Sequence, residues 1–134
     1  MNIKRFLLAS AAVFILFQIT GYIVHGVLLM KTYEELSALW RPDMMSLMWM
    51  MYITGAVYTL TFVLLYTRWR RKGGIVEALG YGLVIVLFMN LTGVLNQHII
   101  FPVPAELTVR WLIYGSIEIL LGAIVAALVY RPKE

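Results

Sequence analysis

The chain has 134 residues, of which 62% are hydrophobic and 13% are charged, with a formal net charge of +4 and no cysteine. A soluble domain is about half apolar and about a quarter charged, so this chain has too little polar surface for a water-facing exterior. The lack of cysteine excludes disulfide scaffolds, thiolate metal sites and cysteine nucleophiles. The composition therefore predicts an integral membrane protein.

Four apolar runs in the sequence are long enough to cross a bilayer. A hydrocarbon core about 30 Å thick needs about 20 helical residues at about 1.5 Å per residue. Runs of this length lie at residues 6–30, 44–67, 75–101 and 107–130. Because the connectors are short, the sequence predicts one integral membrane domain over residues 1–134. Its predicted fold is all-α, an antiparallel bundle of four transmembrane helices.

The connector between the first two runs carries a local helix signal. Residues 32–35, Thr-Tyr-Glu-Glu, have the spacing of a capping box. Tyr33, Leu36 and Trp40 then fall on one helical face, and Arg41-Pro42 ends the pattern. The sequence predicts a short helix over residues 32–40, lying in the outer interface of the membrane.

Basic residues are divided unevenly between the two ends of the runs. Lys31, Arg41 and Arg110 lie on the side of the first connector. The opposite side holds Lys4, Arg5, Arg68, Arg70, Arg71, Lys72, Arg131 and Lys133. The positive-inside rule then predicts a multi-pass protein of the bacterial inner membrane with both termini in the cytoplasm. No recognition module accompanies the basic cluster, so lipid headgroups are the expected partner and nucleic acid is not.

A few polar residues lie within the apolar runs. Glu118 lies about halfway along the fourth run, and Asn90 lies at a similar depth in the third. Polar groups in hydrocarbon need partners, so we expect both side chains to face the bundle interior, with Glu118 near Asn90, Thr54 or Thr20. The further candidates for buried polar or ligand positions are Gln18, Thr54, Tyr58 and Gln97. For Glu118 three roles stay open: a structural carboxyl, a proton or cation site of a transporter, or a contact to a partner subunit.

Histidines and methionines suggest a cofactor or metal site near the outer ends of the runs. His25 and His98 lie near one level in the first and third runs, where two imidazoles on facing helices could ligate haem b. Met44, Met48 and Met51 share a helical face at a depth comparable to His25, and thioethers with an imidazole suit copper(I). The alternatives are a hydrogen bond across the bundle for His25, a solvated interfacial position for His98, and packing or lipid contact for the methionines.

The chain resembles a class of small bacterial inner-membrane proteins to which no chemistry is assigned. The likeness is carried by residues 24–29 (Val-His-Gly-Val-Leu-Leu), Tyr33, residues 39–42 (Leu-Trp-Arg-Pro) and the methionines of residues 44–51. It continues through residues 111–118 and the closing residues 130–132. The resemblance implies a four-helix fold and an inner-membrane location, and it transfers no catalytic role.

Three functions remain in view, and none of them is enzymatic, because no catalytic signature is present. The first is a non-catalytic accessory or assembly subunit of a membrane complex. The second is a proton-coupled small-molecule transporter that uses Glu118, which at this size is expected to be a homodimer. The third is binding of haem b or copper near the periplasmic face through His25, together with His98 or the methionines.

Overall fold

The computed structural model describes residues 1–131, and no strand lies in this range. Pro132 and Lys133, used above for the resemblance and the charge asymmetry, lie outside it. The helices are α1 (Ile3–Leu28), α2 (Met30–Glu35), α3 (Met44–Trp69), α4 (Ile75–Ile100) and α5 (Ala105–Val129). All of these except α2 are long and apolar enough to span a membrane, so the predicted all-α, four-span fold is confirmed.

Helix α5 holds the bundle together, because it packs against both α1 and α4. Helix α3 packs mainly on α1 and has fewer contacts with α4 and α5. We call the end of the bundle that holds residues 1–5, 68–74 and 128–131 the basic end. The opposite end, which holds His25, α2 and the turn at residues 101–104, is the histidine end.

The main core lies in the half of the bundle toward the basic end. Small residues let the helices approach closely there. A Cβ atom built on Gly122 would lie 2.6 Å from Cζ of Phe17, and one on Gly82 would lie 3.0 Å from Cδ2 of Leu120. The buried members of this core are Ala9, Val13, Phe62, Val63, Tyr66, Ala78, Tyr81, Ile85, Ile119, Ala123, Ala126, Ala127 and Tyr130.

The short helix in the first connector is present, but its predicted bounds are wrong. Helix α2 runs over Met30–Glu35 and is followed by a 3₁₀ turn at Ser37–Leu39, so Thr32 lies inside it and makes no cap. The reason is Leu29, which is fully buried against Val103 and Leu107 with its backbone in the right-handed helical region. This anchor turns the chain directly from α1 into α2, two residues before the capping-box pattern begins.

Two spans contain a π-helical segment that the sequence did not predict. The segments are Tyr22–Leu28 at the end of α1 and Val86–Leu91 in the middle of α4. The wider turn is visible where the amide of Leu29 bonds the carbonyl of Val24 at 2.9 Å, five residues earlier. A π turn adds a residue to the helix and so changes which side chains face a neighbouring helix.

Candidate functional site

A cleft of about 320 Å³ opens in the histidine half of the bundle, between α1, α2, α4 and α5. We call it the Glu118 cleft. Its lining residues are Val24, His25, Tyr33, Asn90, Val94, Gln97, Trp111, Tyr114, Gly115 and Glu118. Four residues that the sequence singled out, namely Glu118, Asn90, Gln97 and His25, thus meet at one cavity.

Glu118 brings a carboxyl group to this cleft from the middle of α5. Its Oε1 accepts a hydrogen bond from the hydroxyl of Thr20 on α1. The ion pairs within residues 1–131 are Lys31–Glu35, Arg41–Asp43 and Glu106–Arg110, so Glu118 has no basic partner in this range. The carboxyl therefore borders the cleft with a neutral partner and no counter-charge.

Asn90 is fixed in the wall beside it by contacts with α5. Its Nδ2 donates to the carbonyl oxygen of Leu112 at 3.0 Å and to the hydroxyl of Ser116 at 3.1 Å. The amide lies directly over Gly115, where a Cβ atom would come within 2.6 Å of Oδ1 of Asn90. The glycine therefore makes room for the amide, and the two bonds hold the orientation of the Asn90 side chain.

Hydrogen bonds that link three aromatic side chains in series close the cleft toward α2. Nε1 of Trp111 donates to the hydroxyl of Tyr33 at 2.8 Å, and that hydroxyl lies 2.5 Å from Nδ1 of His25. The imidazole and the Tyr33 ring are nearly parallel, with centroids 5.9 Å apart, and Nε1 of Trp40 donates to the Tyr33 carbonyl at 3.0 Å. Because Tyr33 accepts from Trp111, its own proton is available to His25. Three helices are thereby tied together at the cleft.

The protonation state of Tyr33 favours the hydrogen bond between its hydroxyl and His25. Burial raises the pKa of its phenol, and the hydrogen bond from Trp111 offsets part of that rise. The hydroxyl is therefore protonated at neutral pH and keeps a proton to donate.

Both π-helical segments border the cleft. The first contributes Val24 and His25, and the second contributes Asn90. Such segments in otherwise regular helices are frequent at functional sites, because the extra residue re-aims the side chains around it. Their joint presence at one cavity marks this cleft as the part of the bundle where regular helix packing is interrupted.

Other predicted residues lie outside the cleft lining. Gln18 faces α3, with its Nε2 lying 3.6 Å from a Cβ atom built on Gly55. Tyr58 packs against Phe17, with ring centroids 5.9 Å apart. Thr54 is exposed, and its hydroxyl bonds the carbonyl of Met50 at 3.1 Å on its own helix. Of the three neighbours expected for Glu118, Thr20 bonds its carboxyl and Asn90 lines the same cleft, whereas Thr54 does neither, because its side chain is exposed.

The haem and copper candidates do not meet at this cleft. Nδ1 of His98 lies 2.8 Å from the carbonyl oxygen of Val103 and 3.0 Å from the hydroxyl of Thr108, at the turn between α4 and α5. His98 is not among the lining residues, whereas His25 is. The side chains of Met44, Met48 and Met51 are exposed on α3 and do not line the cleft either. Within residues 1–131, no group of three or more His, Asp or Glu side chains is arranged to hold a metal ion.

The sequence analysis did not predict that the aromatic residues of the lining, namely Tyr33, Trp111 and Tyr114, belong to a site. Trp111, Tyr114 and Gly115 precede Glu118 by seven, four and three residues, which places them on its helical face. The spacing thus predicts from the sequence alone that Trp111 and Gly115 share the face of Glu118, although no role in a site was assigned to them. Tyr33 carried no such signal, because its position depends on the turn at Leu29.

These features define a small α-helical protein whose four apolar helices are consistent with a multi-pass membrane location, with one polar cleft between three of them. Comparison of the chain with protein-family models, curated proteins and solved structures gives no match.

Proposed function

We propose that the chain is a membrane transporter that binds a small organic cation in the Glu118 cleft. The observation that carries this proposal is a carboxyl group beside a cavity of about 320 Å³ whose lining contains no lysine or arginine. Small-molecule pockets usually measure about 300–1,000 Å³, so the cavity suits a compact ligand.

The electrostatics of Glu118 favour a cationic ligand. An unpaired charge within a membrane span is costly and is normally neutralised by a partner. A proton or a bound cation can each supply that neutralisation, but both cannot do so at once. Exchange of one for the other on the same carboxyl would couple ligand movement to proton movement, as a proton-coupled transporter requires.

The remaining lining residues suit an organic ammonium group. Tyr33, Trp111 and Tyr114 bring three aromatic rings to the cavity, and ring faces attract cations, most strongly where water is excluded. Asn90 and Gln97 add amide groups that can hydrogen-bond a polar substituent. A compact ammonium ion with apolar substituents fits this combination better than an anion or a sugar.

The direct test measures binding of tetraethylammonium to the purified protein in a neutral detergent by titration calorimetry at pH 8. Glu118→Gln should weaken binding at least tenfold, since attraction between the carboxylate and a quaternary ammonium ion about 5 Å away contributes about 3 kcal/mol at an effective dielectric constant of about 20. The glutamine keeps the size of the side chain and an acceptor for Thr20, so the fold should persist. The matched control is Glu106→Gln on the same helix, because Glu106 is exposed and paired with Arg110.

Equal affinity in wild type and Glu118→Gln, with helical content and elution volume unchanged, would contradict the proposal. Loss of binding in both Glu118→Gln and Glu106→Gln would show a general charge effect and would also contradict it.

The accessory-subunit hypothesis makes a different prediction. An accessory subunit should co-purify with larger membrane proteins in mild detergent and should not respond to an ammonium ligand by itself. The transporter proposal predicts a homodimer that binds ligand alone, which mass measurement of the detergent-solubilised protein would detect.

For the location we propose the bacterial inner membrane, with the basic end in the cytoplasm. The excess of basic residues at that end supports this orientation. Because the chain lacks cysteine, single substitutions report topology without background. A membrane-impermeant thiol reagent added to intact spheroplasts should label Glu35→Cys and leave Lys72→Cys unlabelled, and the reverse pattern would overturn the orientation.

A further inference from the structure

A second cavity, of about 480 Å³, lies at the basic end, where the start of α1 meets the ends of α3 and α5. Four arginines line it, namely Arg5, Arg68, Arg70 and Arg131. Asn2 and Tyr130 also contribute to its lining. This cavity is independent of the Glu118 cleft, with which it shares no lining residue.

Three of the guanidinium groups are held in place by main-chain carbonyls at the end of α5. Nη1 of Arg5 donates to Arg131 at 2.5 Å, Nη1 of Arg70 donates to Tyr130 at 2.7 Å, and Nε of Arg131 donates to Leu128 at 3.0 Å. Cζ of Arg70 also lies 5.3 Å from the centre of the Tyr130 ring. Each bond uses one of five N–H donors, so every group keeps donors for a ligand.

The positive charges of this cavity are not neutralised by an ion pair in the described range, although Arg70 lies near enough to Glu77 to attract its carboxylate. None of the ion pairs in residues 1–131 includes an arginine of this cavity. Glu77, the acidic residue beside the basic turn, accepts instead from the main-chain amides of Arg71, Lys72 and Gly73 at 2.9–3.0 Å. Four neighbouring guanidinium groups repel one another, and an anion between them would relieve that repulsion.

From this geometry we propose that the cavity is a binding site for a phosphate group. Guanidinium groups match phosphate oxygens in shape and bind them through paired, charge-assisted hydrogen bonds. The Tyr130 hydroxyl accepts the amide of Asn2 at 3.2 Å, which leaves its own proton available to a phosphate oxygen. The phosphate can belong to the headgroup of an anionic lipid or to a free phosphate in the aqueous phase.

A discrete binding site depends on the arginines that line the cavity, whereas a diffuse basic surface depends on every basic residue nearby. Two arginines of the basic turn distinguish these cases, because one lines the cavity and the other does not. Arg68 lines the cavity and makes no side-chain hydrogen bond within residues 1–131, so Arg68→Gln removes a ligand contact without removing a structural one. Arg71 lies three residues away, is exposed and does not line the cavity. Arg71→Gln therefore removes the same charge from the same turn and is the matched control.

The experiment measures two probes on the full chain in neutral detergent. One arm follows retention of phosphatidylglycerol by native mass spectrometry, and the other follows binding of inorganic phosphate by titration calorimetry. In the arm that shows binding, Arg68→Gln should weaken it about tenfold or more, and Arg71→Gln should change it less than twofold. Binding of the lipid alone identifies a headgroup as the ligand, and binding of inorganic phosphate alone or in addition identifies the phosphate group itself.

Equal weakening by Arg68→Gln and Arg71→Gln would show general attraction to the basic turn and would overturn the proposal. So would binding of neither probe to the wild-type chain, or affinities that Arg68→Gln leaves unchanged. Should Arg68→Gln fail to fold, Arg68→Lys serves instead, since it keeps the charge but loses the planar group and should still weaken binding several-fold.

Discussion

The two halves of the bundle are built from the same helices but packed in different ways. Toward the basic end, α1, α4 and α5 meet through alanines and glycines such as Ala78, Gly82 and Ala123, with aromatic rings from α3 filling the space between them. Toward the histidine end, α1 and α4 contain π-helical segments, and the three helices bear larger polar and aromatic side chains. The first half encloses a dense core, whereas the second encloses a cleft.

The difference shows how one set of helices can combine stability with a binding cavity. Small residues draw backbones together and leave no room for a ligand. A π turn changes which side chains face a neighbouring helix, and the larger polar and aromatic side chains of this half enclose a cavity. We therefore expect substitutions in the dense half to change the free energy of unfolding alone, and substitutions of residues that line the cleft to change ligand affinity as well.

The largest expected effect is that of Phe62→Ala in the dense half. Phe62 is almost fully buried and contacts the rings of Phe17, Tyr58 and Tyr81. Its removal leaves a cavity and should lower the free energy of unfolding by about 3 kcal/mol, as measured by denaturant titration in detergent. Phe88→Ala is the control, because Phe88 is 71% exposed on α4 and should change stability by less than about 0.5 kcal/mol. A similar loss in both variants would contradict a localised core.

The next effect is that of Gly115→Ala in the wall of the cleft. The new methyl group would lie 2.6 Å from Oδ1 of Asn90 and would displace the amide from Leu112 and Ser116. We expect a loss of about 1–3 kcal/mol in stability together with weaker tetraethylammonium binding. Gly93→Ala, on α4, is the control, since a methyl group there meets nothing within 4 Å. Tight ligand binding by Gly115→Ala would show that Asn90 is not part of the site.

Features of the fold that depend on a long run of apolar residues were predicted from the sequence, whereas features that depend on single contacts between distant segments were not. The four spans were predicted correctly, because the number of apolar residues needed to cross a bilayer is set by its thickness. The start of α2 was predicted wrongly, since it depends on the burial of Leu29 against Val103 and Leu107, which are distant in sequence. The π-helical segments were missed because no residue type marks them and a pattern read at 100° per residue assumes regular helix.

The same reasoning explains the outcome for the predicted polar residues. Glu118 and Asn90 both line the Glu118 cleft, where Glu118 bonds Thr20 of α1 and Asn90 lies over Gly115 of α5. Thr54 was placed wrongly, since the helical period shows which residues share a face but not which face of α3 packs against the other helices. The proposed roles of these residues remain predictions, which the Glu118→Gln and Gly115→Ala variants test.

A smaller effect separates two tyrosines of the dense half. The hydroxyl of Tyr81 donates to the carbonyl of Phe62 at 2.6 Å, whereas the hydroxyl of Tyr66 is buried and has no partner within the described residues. Tyr81→Phe should therefore lower the free energy of unfolding by about 1 kcal/mol, and Tyr66→Phe should leave it unchanged or raise it. The two variants control for each other in one unfolding assay. Greater damage from Tyr66→Phe would mean that its hydroxyl has a partner after all.

The smallest effect is that of Tyr33→Phe, which tests the hydrogen bonds that link Trp111, Tyr33 and His25 in the cleft half. This variant removes the hydroxyl that accepts from Trp111 and lies against His25, and because these contacts are less buried than that of Tyr81 we expect a loss of about 0.5 kcal/mol near neutral pH. Burial raises the pKa of Tyr33, so above about pH 10 the unfolded chain loses the phenol proton before the folded chain does. The stabilisation by Tyr33 is therefore complete below that pH and declines as the pH rises toward the folded-state pKa.

Unfolding curves of wild type and Tyr33→Phe at pH 8, 9, 10 and 11 measure this dependence directly. The gap between the two proteins should be constant at the two lower pH values and should narrow at the higher ones, because only the wild type carries a phenol at position 33. A gap that widens with pH would mean that folding favours the phenolate of Tyr33, and the proton would then be absent from the bond to His25. The hydrogen-bonded closure of the cleft toward α2 would in that case be assigned wrongly, while the dense half would be unaffected.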